Sequence, residues 1–359
     1  MPKPPPPAAD PFGIVLRSVR VLVGVVLGAA FLSGGELNGR VPDAAAEEVK
    51  AESARELTQA EIEARLADPR GPLSAFVKCI EHSVLSGRTD AAEKLVDRDG
   101  ILARATRTVS FKGDKAVREL FCDSTKRAWE ERGLTRDYAG TRFMYLRPRT
   151  LGGRAGLLFR SSSQKGAVNY VLFNVTEPKP GDFRVSDMFV VGINEYLSDT
   201  LGRTWVNVAA GLLGNDALSI KEVNPEYVAC INAVAEMSRQ LQNGDAEAVL
   251  EGARLLPESV QKARTVLLMR IEAGERISLK ERDAAYAAWL EVYPNEMELP
   301  LKFVHFYRDH RRWDDAERVL RGLMEKLGED SMLKMELGTV LFRKEAERKL
   351  AVKAGLSIR

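Results

Sequence analysis

Asp187 is the residue of this chain whose type and place point most directly to chemistry. It stands in "DFRVSDMFVVGINEYLSDTLGR", residues 182–203, which reads as a β-strand running into an amphipathic helix. Strict alternation of an extended chain puts Phe183, Val185, Asp187, Phe189 and Val191 on one face. A carboxylate among two Phe and two Val is paired, catalytic, or turned elsewhere by a bulge. As a general base it would need a proton partner, for which His82 or Tyr170 could serve, with Tyr145 and Phe189 completing the set of pocket candidates. His82 follows Glu81 near the polar side of its helix and reads as exposed, and Tyr145 and Tyr170 equally fit amphipathic strands. No nucleophile elbow, phosphate loop or metal-ligand pair accompanies them. No catalytic residue, metal or cofactor is therefore assigned, and a non-enzymatic protein is expected.

The pairing option has more support in the neighbouring residues. Between Asp137 and Glu177 there is no acid, whereas Arg142, Arg147, Arg149, Arg154, Arg160 and Lys165 all fall there. An unpaired carboxylate in an apolar setting costs roughly several kcal/mol or takes up a proton. A guanidinium on a neighbouring strand relieves that cost. Asp187 is thus expected to be the structural partner of a sheet arginine. The remaining cations are expected to be solvated, balanced by helix acids such as Glu119, Glu130 and Glu131, or to form a site for an acidic partner.

A length of 359 residues suffices for two domains plus extensions, and the formal net charge of +2 argues against a nucleic-acid partner. Cys79, Cys122 and Cys230 form no CxxC pair, and with His82, His305 and His310 scattered, no zinc spacing is present. A Cys79–Cys122 disulfide stays open for an exported chain. Lys3, Arg17 and Arg20 precede the twelve apolar residues Val21–Leu32, a length that fits a signal-peptide core. Extended back to Phe12 the run has 21 residues, enough to span a bilayer. Residues 1–35 are therefore expected to be a signal peptide or membrane anchor that leaves the rest of the chain extracytoplasmic. Residues 36–71, rich in Ala and Glu, read as an exposed helical spacer.

Residues 72 to about 135 have helical periodicity. Four β-rich runs follow, "RFMYLRPR", "RAGLLFRSSS", "AVNYVLFNVTE" and "DFRVSDMFVV", with short connections that favour an antiparallel meander. Helices followed by a curved sheet and a closing helix make an α+β layer over 72–213. That order of elements resembles the nuclear transport factor 2-like (cystatin-like) cone. The resemblance implies a sheet wrapped around helices with room for a pocket, and no particular reaction.

From 222 to 359 the pattern is all helical. "NGDAEAVLEGARLLPES", "ERDAAYAAWLEVYPNE" and "WDDAERVLRGLMEKLGED" align on Asp-Ala pairs, with Ala246, Ala284 and Ala316 spaced by 38 and 32 residues. Leu337, Gly338 and Leu341 fall where a further unit would begin. The segment resembles a degenerate tetratricopeptide array, which implies an all-α superhelix that holds a protein partner in its groove. Phe303, Phe306 and Tyr307 of "LPLKFVHFYRDH" are the groove candidates. The expected protein is thus a membrane-tethered or exported scaffold. A small-molecule or isomerase-type pocket in the cone is the alternative, and a cytoplasmic adaptor with a non-exported apolar N-terminus a third reading.

Overall fold

Ends of helices and strands are set by local chemistry that can be read residue by residue. The computed structural model describes residues 55–133, 138–139, 141–162, 168–213 and 223–353. The expected anchor, most of the spacer and the segment 214–222 lie outside the described residues. What is described begins earlier than the spacer reading allowed. Thr58 and Glu61 form a capping box that starts the helix Gln59–Leu66. Leu57 and Ile62 are buried, and the Leu57 amide donates to the Val175 carbonyl at 2.9 Å. Residues 55–71 therefore belong to the folded unit and correct the expected boundary at 72.

The helices Pro72–Leu85, Arg98–Thr106 and Lys115–Arg132 precede the sheet. The sheet runs β1 (Arg142–Leu151), β2 (Arg154–Ser162), β3 (Val168–Lys179), β4 (Asp182–Val190) and β5 (Glu195–Tyr196), antiparallel and in chain order. A closing helix, Leu197–Leu213, follows. It meets Arg98–Thr106 closely because Gly202 has no side chain. A Cβ there would lie 2.7 Å from the Thr108 hydroxyl. Trp205, fully buried, donates from its indole N–H to the Val109 carbonyl and packs against Phe111 and Phe121.

Register decides which side chains share a face. Leu157, Phe173 and Met188 are cross-strand partners, as are Phe159, Val171 and Val190. This face, with Phe143 stacked on Phe159 at 5.0 Å, meets the N-terminal helices, where Phe76 touches Phe183. The opposite face carries Arg160, Tyr170, Leu158, Leu172 and Phe189. Arg160, Tyr170 and Phe189 lie under C-terminal helices.

Those helices come as the pairs Ile231–Asn243 with Ala246–Leu255, Arg264–Ile277 with Leu279–Val292, and Pro300–Asp309 with Trp313–Leu327, followed by Ser331–Lys353. The second helices start at 246, 279 and 313, steps of 33 and 34 residues. The Asp-Ala spacing was less even because Asp245 caps its helix whereas Asp283 lies inside one. One hydrophobic core runs from Leu57 through the sheet to Val340, and a smaller one lies among residues 227–273. The boundary near 214–222 separates two sequence patterns but not two cores. A chain cut back to residues 55–213 is therefore expected to expose Leu158, Tyr170, Leu172 and Phe189. Its binding of a hydrophobic dye should rise well above that of the full chain, and equal binding would contradict the shared core.

Candidate functional site

Asp187 is fully buried, and its face is set by a bulge. Asn174 pairs with Asp187 and the next residue, Val175, with Val185, so Ser186 is the extra residue of β4. Val185 consequently faces the N-terminal helices, while Asp187 and Phe189 face the other way. The single-face alternation expected for this strand is thereby corrected. Ser186 and Asp187 both reach one charge cluster.

Every oxygen of the Asp187 carboxylate is engaged. Oδ2 accepts from Arg154 Nη1 at 2.6 Å, from the Ser198 hydroxyl, and from Arg104 Nη1 at 3.5 Å. Oδ1 accepts from the backbone amides of Met188 at 2.9 Å and Ser198 at 3.2 Å. The Ser198 amide belongs to the first turn of the closing helix, whose unsatisfied N–H groups seek such an acceptor. Glu56 completes the cluster by accepting from Arg154 Nε at 2.9 Å, from the Ser186 hydroxyl at 2.7 Å and from Arg104 at 3.3 Å. Burial alone would raise the Glu56 carboxyl, but the hydrogen bonds of Arg154 and Ser186 outweigh it and leave it below its ordinary value. Two carboxylates and two guanidiniums cancel, and Arg154 also lies 4.2 Å from the Tyr196 ring centroid. The cluster ties the first described residues, the sheet and the closing helix together. It leaves no lone pair for a substrate proton.

The other pocket candidates scatter. Tyr145 is half-buried on the face toward the N-terminal helices, its amide donating to Glu81 at 2.6 Å. Tyr170 is buried on the opposite face and donates to Asp330 at 2.8 Å. Burial first, and then Asp330, holds its phenol well above the ordinary range. His82 is exposed on Pro72–Leu85. Cys79, Cys122 and Cys230 are free and partly buried. Of the groove candidates, Phe303 and Tyr307 are core residues and line no groove. Phe306 is half-buried, stacked on Tyr286 at 4.6 Å.

Arg147, Arg149, Arg154 and Arg160 of the cationic sheet find partners inside the molecule. Arg160 and Asp330 form a buried ion pair, joined by the Tyr170 hydroxyl. Arg149 Nε donates to the Leu327 carbonyl at 2.9 Å, and Arg147 to the carbonyl of Glu329. Two sheet arginines thus serve the carbonyls at and just past the end of the helix Trp313–Leu327, where acceptors are left over. A Cβ on Gly328, at φ 83°, would run into the Arg149 guanidinium. For Arg147, Arg149 and Arg160 these partners replace the expected solvated faces and the expected acids Glu119 and Glu130, whereas Arg142 is exposed; Lys165 and the side chain of Glu131 lie outside what is described. Asp330 could be read from sequence as the cap of the last helix, its carboxylate accepting from the Met332 amide. Nothing in the sequence showed its long-range partner.

Two features remain that can meet another molecule. Phe189 alone of the pocket candidates lines a cavity of about 850 Å3 between the closing helix and the helix pairs. Arg203, Arg264, Glu195, Glu298, Tyr196 and Tyr227 lie in its wall. Its charges are largely mutual: Glu195 pairs with Arg203, and Arg264 pairs with Glu298 at 3.1 Å while lying 5.0 Å from the Trp289 ring. Burial pushes the phenols of Tyr196 and Tyr227 up to about 12, so neither exchanges a proton near neutrality. The second feature is the last helix. Leu333 and Val340 are buried on one side, and Met335, Phe342 and Leu350 on the other are 54%, 71% and 66% exposed. Gly338 has only open space where its Cβ would be. Among the described residues no helix is long and apolar enough to cross a membrane, and no group of His, Cys, Asp and Glu could hold a metal ion.

No protein-family model, no curated protein and no solved structure matches the chain.

Proposed function

We propose that this is a non-enzymatic interaction protein, tethered or exported through its N-terminal segment, that holds a protein partner with its C-terminal helices. In this reading residues 55–213 form a cone-like support of the nuclear transport factor 2 type, and 223–353 a tetratricopeptide-like array docked on it. The observation that carries the reading is the outward face of Ser331–Lys353. Met335, Thr339, Phe342, Ala346 and Leu350 follow the helical repeat opposite the buried side, and the three large ones are mostly exposed. Exposed apolar stripes of this kind mark surfaces that other chains cover. The reading places the contact on the last helix, in place of the groove first expected around Phe303 and Tyr307.

A second reading is favoured by the 850 Å3 cavity, since junctions between layers are where small molecules lodge. It makes the protein a ligand-binding support with the helix pairs as one wall.

The first reading is tested by Phe342→Glu. The side chain touches little of its own chain, so thermal stability should change by less than about 0.5 kcal/mol. Affinity capture of the full chain from membranes should lose its co-purifying protein. Capture that is identical for parent and variant would overturn the reading.

A further inference from the structure

We propose that His310 is a proton-operated latch between the second and third helix pairs, closed while its ring is charged and released when the proton leaves. The ring stands at the corner where Pro300–Asp309 ends and Trp313–Leu327 is about to begin. Its Nδ1 lies 2.8 Å from the Phe306 carbonyl oxygen. Its Nε2 lies 2.8 Å from Asp283 Oδ2, on the helix Leu279–Val292 of the preceding pair. Carbonyl and carboxylate oxygens only accept, and a neutral imidazole has a single N–H to donate. Both contacts are therefore hydrogen bonds only in the imidazolium. A neutral ring would set a nitrogen lone pair against one of the two oxygens, and that contact would open.

Charge balance at the corner favours the same state. Arg282, on the facing helix, pairs with Asp309 and reaches Asp283 with Nε at 3.4 Å. With His310 charged, Asp283 and Asp309 are matched by Arg282 and the imidazolium. With it neutral, one negative charge is left over. The other cations of the corner are turned to other acids, Arg308 to Glu336 and Arg311 to Glu347 of the last helix, and Arg312 to Asp315. The ring also lies at a helix C-terminus, where a cation is stabilised, and 4.4 Å from the Phe306 ring. The Phe306 carbonyl first, and then Asp283, hold the His310 ring above its ordinary value of 6.5, against burial and Arg282. The folded value is the higher one, so the latch contributes in full below about pH 6.5 and is lost as pH rises through the folded value. In stacked helix pairs each unit holds only its neighbours, so release loosens this one joint. The Tyr286–Phe306 and Tyr286–Phe303 ring contacts keep the two pairs together when it does.

The test uses the full chain in mild detergent, labelled with 15N in its histidine rings. An imidazolium gives two similar ring-nitrogen shifts and a neutral ring two widely separated ones. His310→Gln identifies the signal among those of His82, His305 and His310. In the parent that signal should be imidazolium at about pH 7, with a midpoint above 6.5. Asp283→Asn should move the midpoint down. Release is read by hydrogen exchange of the amides of residues 306–313, corrected for intrinsic rates. Their protection in the parent should fall about twofold or more as pH rises through the midpoint, and in His310→Gln it should not respond. Because the ring is partly exposed, His310→Gln should fold and melt only about 1–3 °C below the parent at about pH 6, the gap closing above the midpoint. A neutral His310 at about pH 7, or a midpoint that Asp283→Asn leaves in place, overturns the proposal. So does corner protection that varies with pH alike in parent and His310→Gln, since the ring would then be charged without holding the joint.

Discussion

Asp330→Ala should lower the melting temperature on the order of 10 °C. The residue forms a buried pair with Arg160 and takes the Tyr170 hydroxyl, so its loss strands a guanidinium and a phenol between the sheet and the C-terminal helices. Removing one partner of a buried pair costs about 3–5 kcal/mol, which in a chain of this size corresponds to that shift. The pH dependence has a defined sign. Burial by itself raises the Asp330 carboxyl, but Arg160 and Tyr170 more than offset it, so in the folded protein it lies below its ordinary value of 3.8. The folded value is the lower one. The pair therefore contributes in full above about pH 4 and progressively less as pH falls through the folded value. Melting curves of parent and Asp330→Asn should converge below pH 4. A gap that persists or widens there would mean the pair is not the source of the stability.

Asp187→Asn should also melt lower, by roughly 2–4 kcal/mol in stability. The amide keeps the shape but removes the charge that faces Arg154 and Arg104, and it cannot accept at all the contacts the carboxylate now accepts. Were Asp187 a catalytic base, the same change would leave stability unaltered or raise it. The two roles predict opposite signs, and one pair of thermal melts decides between them. A stabilised variant would return the residue to the list of catalytic candidates.

Much of the architecture could be read from periodicity. The four long strands, their order and the closing helix follow from alternation and short connections, and the helix pairs from a recurring spacing near 34. The pairing of Asp187 with a sheet arginine followed from counting charges between Asp137 and Glu177. What escaped was set by contacts distant in sequence. The bulge at Ser186 carries no Gly or Pro to announce it, so the alternation placed Asp187 on the wrong face. Glu56 sits in a stretch of Ala and Glu whose composition is that of a solvated helix, and its role comes from contacts distant in sequence, to Arg154, Ser186 and Arg104. Phe303 and Tyr307 looked like groove residues because a helix shows its apolar side but not which neighbour takes it. The cationic run was visible, but Arg147 and Arg149 meet backbone carbonyls at and past a helix end, which no composition reveals.

The entry of the chain at Arg55 has a mechanical meaning. Glu56 bridges to Thr176 and Leu57 donates to Val175, beyond the point where β2 leaves that edge of β3 free. Whatever precedes Arg55 is thus fastened near the middle of the sheet, not to a helix end that could fray. A pull on that leash loads the Leu57–Val175 hydrogen bond and the Glu56–Arg154 fork together. Because Arg154 also grips Asp187, and Asp187 the first turn of the closing helix, tension at the leash would reach the wall of the 850 Å3 cavity through ionic contacts a few ångströms long.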